Sequence, residues 1–370
     1  MRKNLLLVVG IALLTLGIFW TPFLLKINTF WTIDFGKQGM ETIVQNFDGL
    51  NYLVITKSGY NPLVIEQINA RFLTGNDPIY FAAHFPGYPL LIKLFSLVMS
   101  LPNALIAAVI ISNGLLAACL YVFFVTLTKN TRWSILLSLL ALFFPARMLS
   151  VRAVGSSEPL FIALILTSLT WSIRGKHWVS AITGTLAVLT RSPGILLFVT
   201  YLLGYYRKPK MLLPYLLMPA ALLLWFGFLG LRYGDPLAYF HSGENLHLFF
   251  PPFQIFSNMQ SWINDMWRED IIYLYVFYGL GILMIDRKWE IVKKWGIVYG
   301  ATLLLVAHRD LARYALPLAP IALLGYAPHL VKLLTKYWKI AGILLIPIYL
   351  LGWQFVLKNT QPISDWGVFF

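Results

Sequence analysis

Apolar residues run through this chain in long blocks, not in the alternating stripes of a soluble protein. The first block covers Leu5 to Leu25, and similar blocks recur to the far end of the chain. Apolar stretches of this kind favour helices that cross a hydrocarbon core of about 30 Å. The pattern therefore predicts an all-α polytopic membrane protein, a single integral membrane domain over residues 1–370. Later spans fall near 104–127, 133–150, 159–173, 178–190, 194–206, 211–231, 271–285, 296–307, 314–327 and 340–357. Polar residues gather in short segments between these blocks, with one large exception. Phe47 to Pro89 is the longest polar interval and holds Asp48, Glu66, Asp77 and His84. It lies in a first outer loop, 26–103, in which Glu41–Tyr60 has the mixed periodicity of short membrane-surface helices. A second large outer loop covers 232–270. The blocks 178–190 and 194–206 are short and are separated by Arg191-Ser192-Pro193-Gly194. Broken backbone at membrane depth is tolerated where it lines a buried or watery cavity.

Composition supports the membrane reading and charge orients it. The chain is 59% hydrophobic and 12% charged, against roughly 25% charged residues in soluble domains. The net charge of +14 would suggest nucleic acid in a soluble protein. Here Lys and Arg instead mark the cytoplasmic segments, and no nucleic-acid partner is expected. The segment His84–Leu101 decides the topology: it is apolar, yet carries Pro86, Pro89 and Lys93. If it does not cross, 16 of the 29 basic residues fall in the cytoplasmic segments, with only Asp286 and Glu290 as acids there. If it does cross, every later basic cluster moves outside. The non-crossing arrangement, with about eleven spans, N-terminus in and C-terminus out, satisfies the positive-inside rule. Arg2 and Lys3 precede the first block, and no small-residue cleavage site follows it, which reads as an uncleaved anchor. Cys119 is the single cysteine, so neither an intrachain disulfide nor a Cys-rich metal site is available. The absence of an organelle signal and the compact loops suggest a prokaryotic cytoplasmic membrane.

Candidate chemistry sits on the outer face. Asp48, in F-D-G-L-N-Y, is a candidate general base at the membrane boundary; its structural alternative is a helix N-cap. Glu158, in G-S-S-E-P-L-F, falls on the same face; its alternative is an acid favoured by the helix dipole. Tyr52 and His84 share the polar interval with Asp48 and are candidate substrate-binding residues. Arg191, Arg309 and Arg313 suit a lipid-borne phosphate, because guanidinium groups donate in pairs and stay charged. Their alternative is snorkelling or pairing, for instance with Asp310. His241, Glu244 and His247 have the spacing H-x-x-E-x-x-H, which differs from the zinc motif H-E-x-x-H, and no metal site is assigned. There is no Walker loop, dinucleotide-binding fingerprint or nucleophile elbow, so an activated substrate already in the membrane must drive any reaction. A transporter or lipid flippase is the alternative use of buried arginines and broken helices; a non-catalytic scaffold subunit is another.

F-D-G-L-N-Y-L-V-I-T-K-S-G-Y resembles the W-D-x-x-x-Y-x-x-I-A-x-x-G-Y signature of PIG-V-like mannosyltransferases, integral membrane glycosyltransferases of the GT-C class. H-F-P-G-Y-P-L-L-I-K-L is similar to that family's F-F-P-x-Y-P-L-L. In the same order, S-S-E-P-L-F, L-T-R-S-P-G-I and A-R-Y-A-L-P-L-A-P resemble its S-E-x-L-F, T-R-x-x-G and late R-Y segments. The resemblance covers about residues 1–320, with Phe47 in place of the usual Trp and Thr56 in place of the usual Ala. It implies a GT-C-like fold and an inverting transfer that is metal-independent or weakly linked to a divalent metal. The implied donor is a polyprenyl-phosphate sugar, typically mannose, and the acceptor a glycan or glycolipid hydroxyl among the membrane lipids. It further implies Asp48 as catalytic acid/base, Glu158 as the second-loop acid, and Arg191 and Arg313 at the donor phosphate.

Overall fold

A computed structural model describes residues 2–70, 76–243, 247–257 and 265–370. The described chain is almost entirely helical; its one sheet is the short antiparallel pair Thr29–Phe30 with Ile33–Asp34. The helix Leu101–Thr128 is the central post. Its 28 residues span about 42 Å at 1.5 Å per residue. Pro102 sits in its first turn and Lys129 ends it in the left-handed region. Around it pack Arg2–Leu24, Gly87–Phe95, Thr131–Ala141 and Glu158–Ile173.

Four described helices are long and apolar enough to cross a membrane: Arg2–Leu24, Leu101–Thr128, Pro209–Tyr233 and Trp338–Lys358. A fifth arises if Leu311–Gly325 and Ala327–Lys336, bent by 81°, form one broken span. Their outward faces carry large aliphatic side chains, with Leu224 76% and Leu231 88% exposed. Such greasy surface suits lipid, not water. The architecture is compatible with an all-α membrane protein, while the other apolar blocks form shorter helices.

Three features differ from the sequence-based expectation. The block 133–150 is not one helix: Thr131–Ala141 ends, and Arg147–Arg152 resumes after Pro145, which can neither donate to a helix nor fit its interior. Arg152, counted with the outer basic residues by topology, is fully buried. Its Nε donates to Leu142 O (3.0 Å), its Nη1 to Ala12 O (3.2 Å) and Asn113 Oδ1 (3.0 Å), and its Nη2 to Thr15 Oγ1 (2.8 Å). The cation is thus solvated by protein oxygens and ties three elements together. Finally, Gly49–Ser58 does not lie on a surface. All its residues but Lys57 are buried, because Gly87–Phe95 and Leu101–Thr128 both pack against it. Gly87–Phe95, at nine residues, is about 13 Å long and too short to cross a bilayer by itself.

The buried placement of Gly49–Ser58 depends on two glycines. A Cβ on Gly155 would lie 2.9 Å from both Gly49 Cα and Leu105 Cδ2. A Cβ on Gly49 would lie 2.1 Å from Val44 O. The loop before Glu158 and the turn carrying Asp48 therefore touch backbone to backbone. Gly155→Ala is expected to push these segments apart and to cost about 1–3 kcal/mol, read as a lower thermal unfolding midpoint of the detergent-solubilised protein. An unchanged midpoint would show that this contact is loose.

Candidate active site

Asp48 follows Phe47, whose φ of +48° is in the left-handed region. That conformation costs a non-glycine residue about 1 kcal/mol or more. The Phe47 ring is fixed on one side by stacking on Phe355, at 5.4 Å between centroids, and on the other by the Arg313 guanidinium 4.5 Å from its centroid. Asp48 occupies the N-cap position of Gly49–Ser58, but its side chain caps nothing. Its Oδ2 instead accepts from Arg313 Nη2 at 2.5 Å, and its Oδ1 lies 3.8 Å from His84 Nε2.

Arg313 joins the two carboxylates singled out in the sequence. Its Nε donates to Glu158 Oε1, and its Nη2 serves Asp48. Arg191 reaches the same Glu158 oxygen at 2.8 Å and donates to Ser157 Oγ at 3.1 Å. It can do so because the chain is extended at Arg191, between the helix His177–Thr190 and the short turn Ser192–Ile195. Tyr52 completes the group by donating to Ser157 Oγ at 2.8 Å. Burial raises the Tyr52 hydroxyl pKa, and Asp48 adds to the effect, so this group remains a donor at neutral pH.

These residues form the floor of a cavity of about 350 Å³, within the range of small-ligand sites. Asp48, Tyr52, His84, Arg191, Arg309 and Arg313 all line it. Glu158 does not. Its side chain is 2% exposed and sits behind the arginines, with Ser156 donating to its other oxygen. Six of the seven residues singled out thus meet at one opening, while the seventh holds two of them in place. Aromatic rings line part of the wall, Tyr80, Phe85, Tyr239 and Tyr314 among them.

Several lining or supporting residues escaped the sequence reading. Lys358 and Gln361 come from the far end of the chain. Gln361 N donates to Gln45 O and its Nε2 to Phe47 O, both at 2.9 Å. Asn46 Nδ2 donates to Val356 O at 2.6 Å. Arg147, placed inside a span by hydropathy, donates from Nη2 to Asp310 Oδ1 at 3.1 Å and lies over Phe355. The side-chain ion pair of Asp310 is therefore with Arg147, not with Arg309 or Arg313. The signal was available: an arginine within an apolar run is costly unless it reaches a partner.

His308 also lines the cavity. Burial, followed by the neighbouring His247, pushes its pKa down to about 4, so the ring is neutral at pH 7. Its Nδ1 accepts from Asp310 N at 3.0 Å, which puts the ring proton on Nε2. His241 bonds Asp235 at 2.6 Å, and His247 stacks on His308 at 4.9 Å between centroids. The two outer histidines of the H-x-x-E-x-x-H segment thus take separate partners, and Glu244 lies outside the described residues. Among the described residues, no group of three or more His, Cys, Asp or Glu side chains gathers in metal-binding fashion.

No protein-family model matches the chain, and no curated protein matches it.

Burial raises the Asp48 pKa, but the Arg313 charge and His84 together outweigh it and hold the carboxyl well below its ordinary value of 3.8. A depressed folded pKa stabilises the fold above the unfolded value, and this contribution is lost as pH falls toward the folded one. Stability from this pair should be constant from about pH 5 to 8 and decline below about pH 4. Asp48→Asn should remove that acid-dependent part of the thermal-unfolding profile. Glu158→Gln should be far more damaging, because it leaves Arg191 with no carboxylate and Arg313 with Asp48 alone. A loss of about 3–5 kcal/mol is expected for breaking such a buried network, again read from thermal unfolding. A near-normal midpoint would show that Glu158 does not hold the arginines.

Proposed function

We propose that the chain is a GT-C-type glycosyltransferase. It moves a sugar, mannose by the resemblance of its motifs, from a polyprenyl-phosphate donor to a glycan or glycolipid hydroxyl. The reaction takes place on the extracytoplasmic face of a membrane, in this reading the prokaryotic cytoplasmic membrane. The observation that carries the proposal is the placement of Asp48: its carboxylate caps no helix and instead faces a cationic, aromatic-walled cavity, fixed by Arg313. Eleven spans with the C-terminus outside belong to the same reading. In that arrangement the shorter apolar helices also cross, Thr131–Ala141, Glu158–Ile173, His177–Thr190, Ser192–Tyr205, Asp265–Leu283 and Glu290–Leu303.

The chemistry follows from the residues. The acceptor hydroxyl attacks the anomeric carbon from the face opposite the phosphate, and its proton passes to Asp48. The bond from the anomeric carbon to the phosphate oxygen breaks, with its electron pair staying on the phosphate. Inversion results from this single displacement. The depressed pKa of Asp48 makes it a weak base, so proton transfer must accompany departure of the phosphate and not precede it. Aromatic residues of the cavity wall, Tyr80 and Tyr314 among them, offer apolar surface to a sugar. Glu158, away from the cavity surface, positions Arg191 and Arg313.

A second groove of about 530 Å³ adjoins the cavity, mostly apolar but with Lys93 and Arg232 in its lining. The two share the segments Phe85–Pro89 and Leu189–Thr190 as a dividing wall. Tyr60, Leu90, Leu224, Trp225 and Phe228 line this groove. A polyprenyl chain lying there would present its phosphate end to the cavity.

Asp48→Asn should lower transfer by about 10²–10⁴-fold while the protein stays folded, since Arg313 keeps Glu158. The assay is transfer of labelled mannose from polyprenyl-phosphate mannose in proteoliposomes holding a membrane-lipid extract. Near-normal turnover by the variant would remove Asp48 from the chemistry. Net movement of the donor across the bilayer, without transfer, would replace the enzyme by a transporter.

A further inference from the structure

The charges around the cavity separate into a compensated floor and an uncompensated mouth. At the floor and just behind it, Asp48 and the buried Glu158 face Arg191 and Arg313, two negative groups against two positive. Asp310 is matched by Arg147. Two charged lining residues remain, Arg309 and Lys358. Both are exposed, and neither makes a side-chain hydrogen bond or ion pair among the described residues. They arrive from separate parts of the chain: Arg309 precedes the turn Leu311–Tyr314, and Lys358 ends the helix Leu345–Lys358.

We infer that Arg309 and Lys358 form the phosphate subsite of the cavity, and that its ligand is a lipid phosphate monoester. The inference rests on the transferase reading for the identity of that lipid, and it relocates the phosphate. Resemblance assigns the donor phosphate to Arg191 and Arg313, yet both guanidiniums already serve carboxylates. A phosphate bound on the floor would place three anionic groups against two cations in a buried setting, which is strongly unfavourable. At the mouth it meets two cations that no carboxylate among the described residues pairs.

The charge also matches the course of the reaction. A sugar-phosphate-lipid diester carries one negative charge. When the bond to the anomeric carbon breaks, the electron pair stays on the phosphate oxygen, and the resulting monoester bears close to two charges at neutral pH, its second pKa being about 6. Two cations at the mouth therefore bind the departing group more strongly than the donor, which is the requirement for stabilising a transition state. The same preference makes the released lipid phosphate a product inhibitor.

The test measures binding of farnesyl phosphate, farnesol and inorganic phosphate to the full-length protein in neutral detergent, so that no catalysis is needed. Wild type should bind farnesyl phosphate well above farnesol, with an affinity that falls as salt is raised. Arg309→Gln and Lys358→Gln should each weaken farnesyl phosphate about tenfold and leave farnesol unchanged. Arg309→Lys and Lys358→Arg should restore most of the affinity. Both side chains are exposed and unbonded, so unfolding midpoints should not move. Loss of phosphate binding in Arg191→Gln, with none in the Arg309 and Lys358 variants, would overturn the inference while leaving the transferase proposal intact. Inorganic phosphate displacing the lipid at equal concentration would show a site for free anions and sink the lipid assignment. Equal affinity for farnesyl phosphate and farnesol in wild type would show that there is no phosphate subsite; the Asp48→Asn transfer assay then decides the transferase proposal independently.

Discussion

Arg313 sits where three otherwise separate parts of the chain must agree. It bonds Asp48 from the first loop and Glu158 from the start of a buried helix, and lies over the ring of Phe47. In an apolar bundle each of these charges alone would cost several kcal/mol, and together they are tolerable because every one has a partner. Arg191 extends the same logic by sharing Glu158 and bonding Ser157. The cavity floor is consequently preorganised: its dipoles and charges are held by one another before any ligand enters.

Much of the surrounding structure serves to hold this group. The close approach of Gly155 to Gly49 brings the Glu158 and Asp48 segments within reach of one arginine. The segment near Gln361 pairs with the first loop and fixes Phe47 from behind. Arg152 performs a different task with similar chemistry. Buried among carbonyl, amide and hydroxyl oxygens, it locks the first helix to the central post and the turn after Thr131–Ala141. One arginine thus supports the bundle through neutral oxygens, while two others build the site through carboxylates.

The helical, membrane-compatible character of the chain was legible because hydropathy is a local property, read directly from runs such as Leu5–Leu25. Asp48, Tyr52, His84, Arg191, Arg309 and Arg313 were legible because polar groups in such a chain are few and costly, so each raises the question of its partner. What escaped was pairing at long range. Nothing in the local sequence shows that Lys358 and Gln361 return to the first loop, or that Arg147 leaves its apolar run to meet Asp310. Burial of Gly49–Ser58 escaped for a related reason. Its residues suit a membrane surface as well as a protein interior, and the choice depends on a glycine contact more than a hundred positions away. Glu158 was found as a residue, but its place behind the cavity depends on geometry that spacing does not encode.

The bond between Arg313 and Asp48 closes a loop of 265 residues. At a synthesis rate of about 5–20 residues per second, that separation takes roughly 13–53 s to produce. Throughout that interval the aspartate exists without its cation, and Glu158 waits through the last 155 residues of it for Arg313. A lone carboxylate is cheap to keep only in water, so the Asp48 side chain stays hydrated until Arg313 is available. Because Arg313 follows both carboxylates in the chain, the polar floor can close only after it has been made. Damage near the far end of the chain should therefore appear as a failure to complete the site in an otherwise inserted bundle.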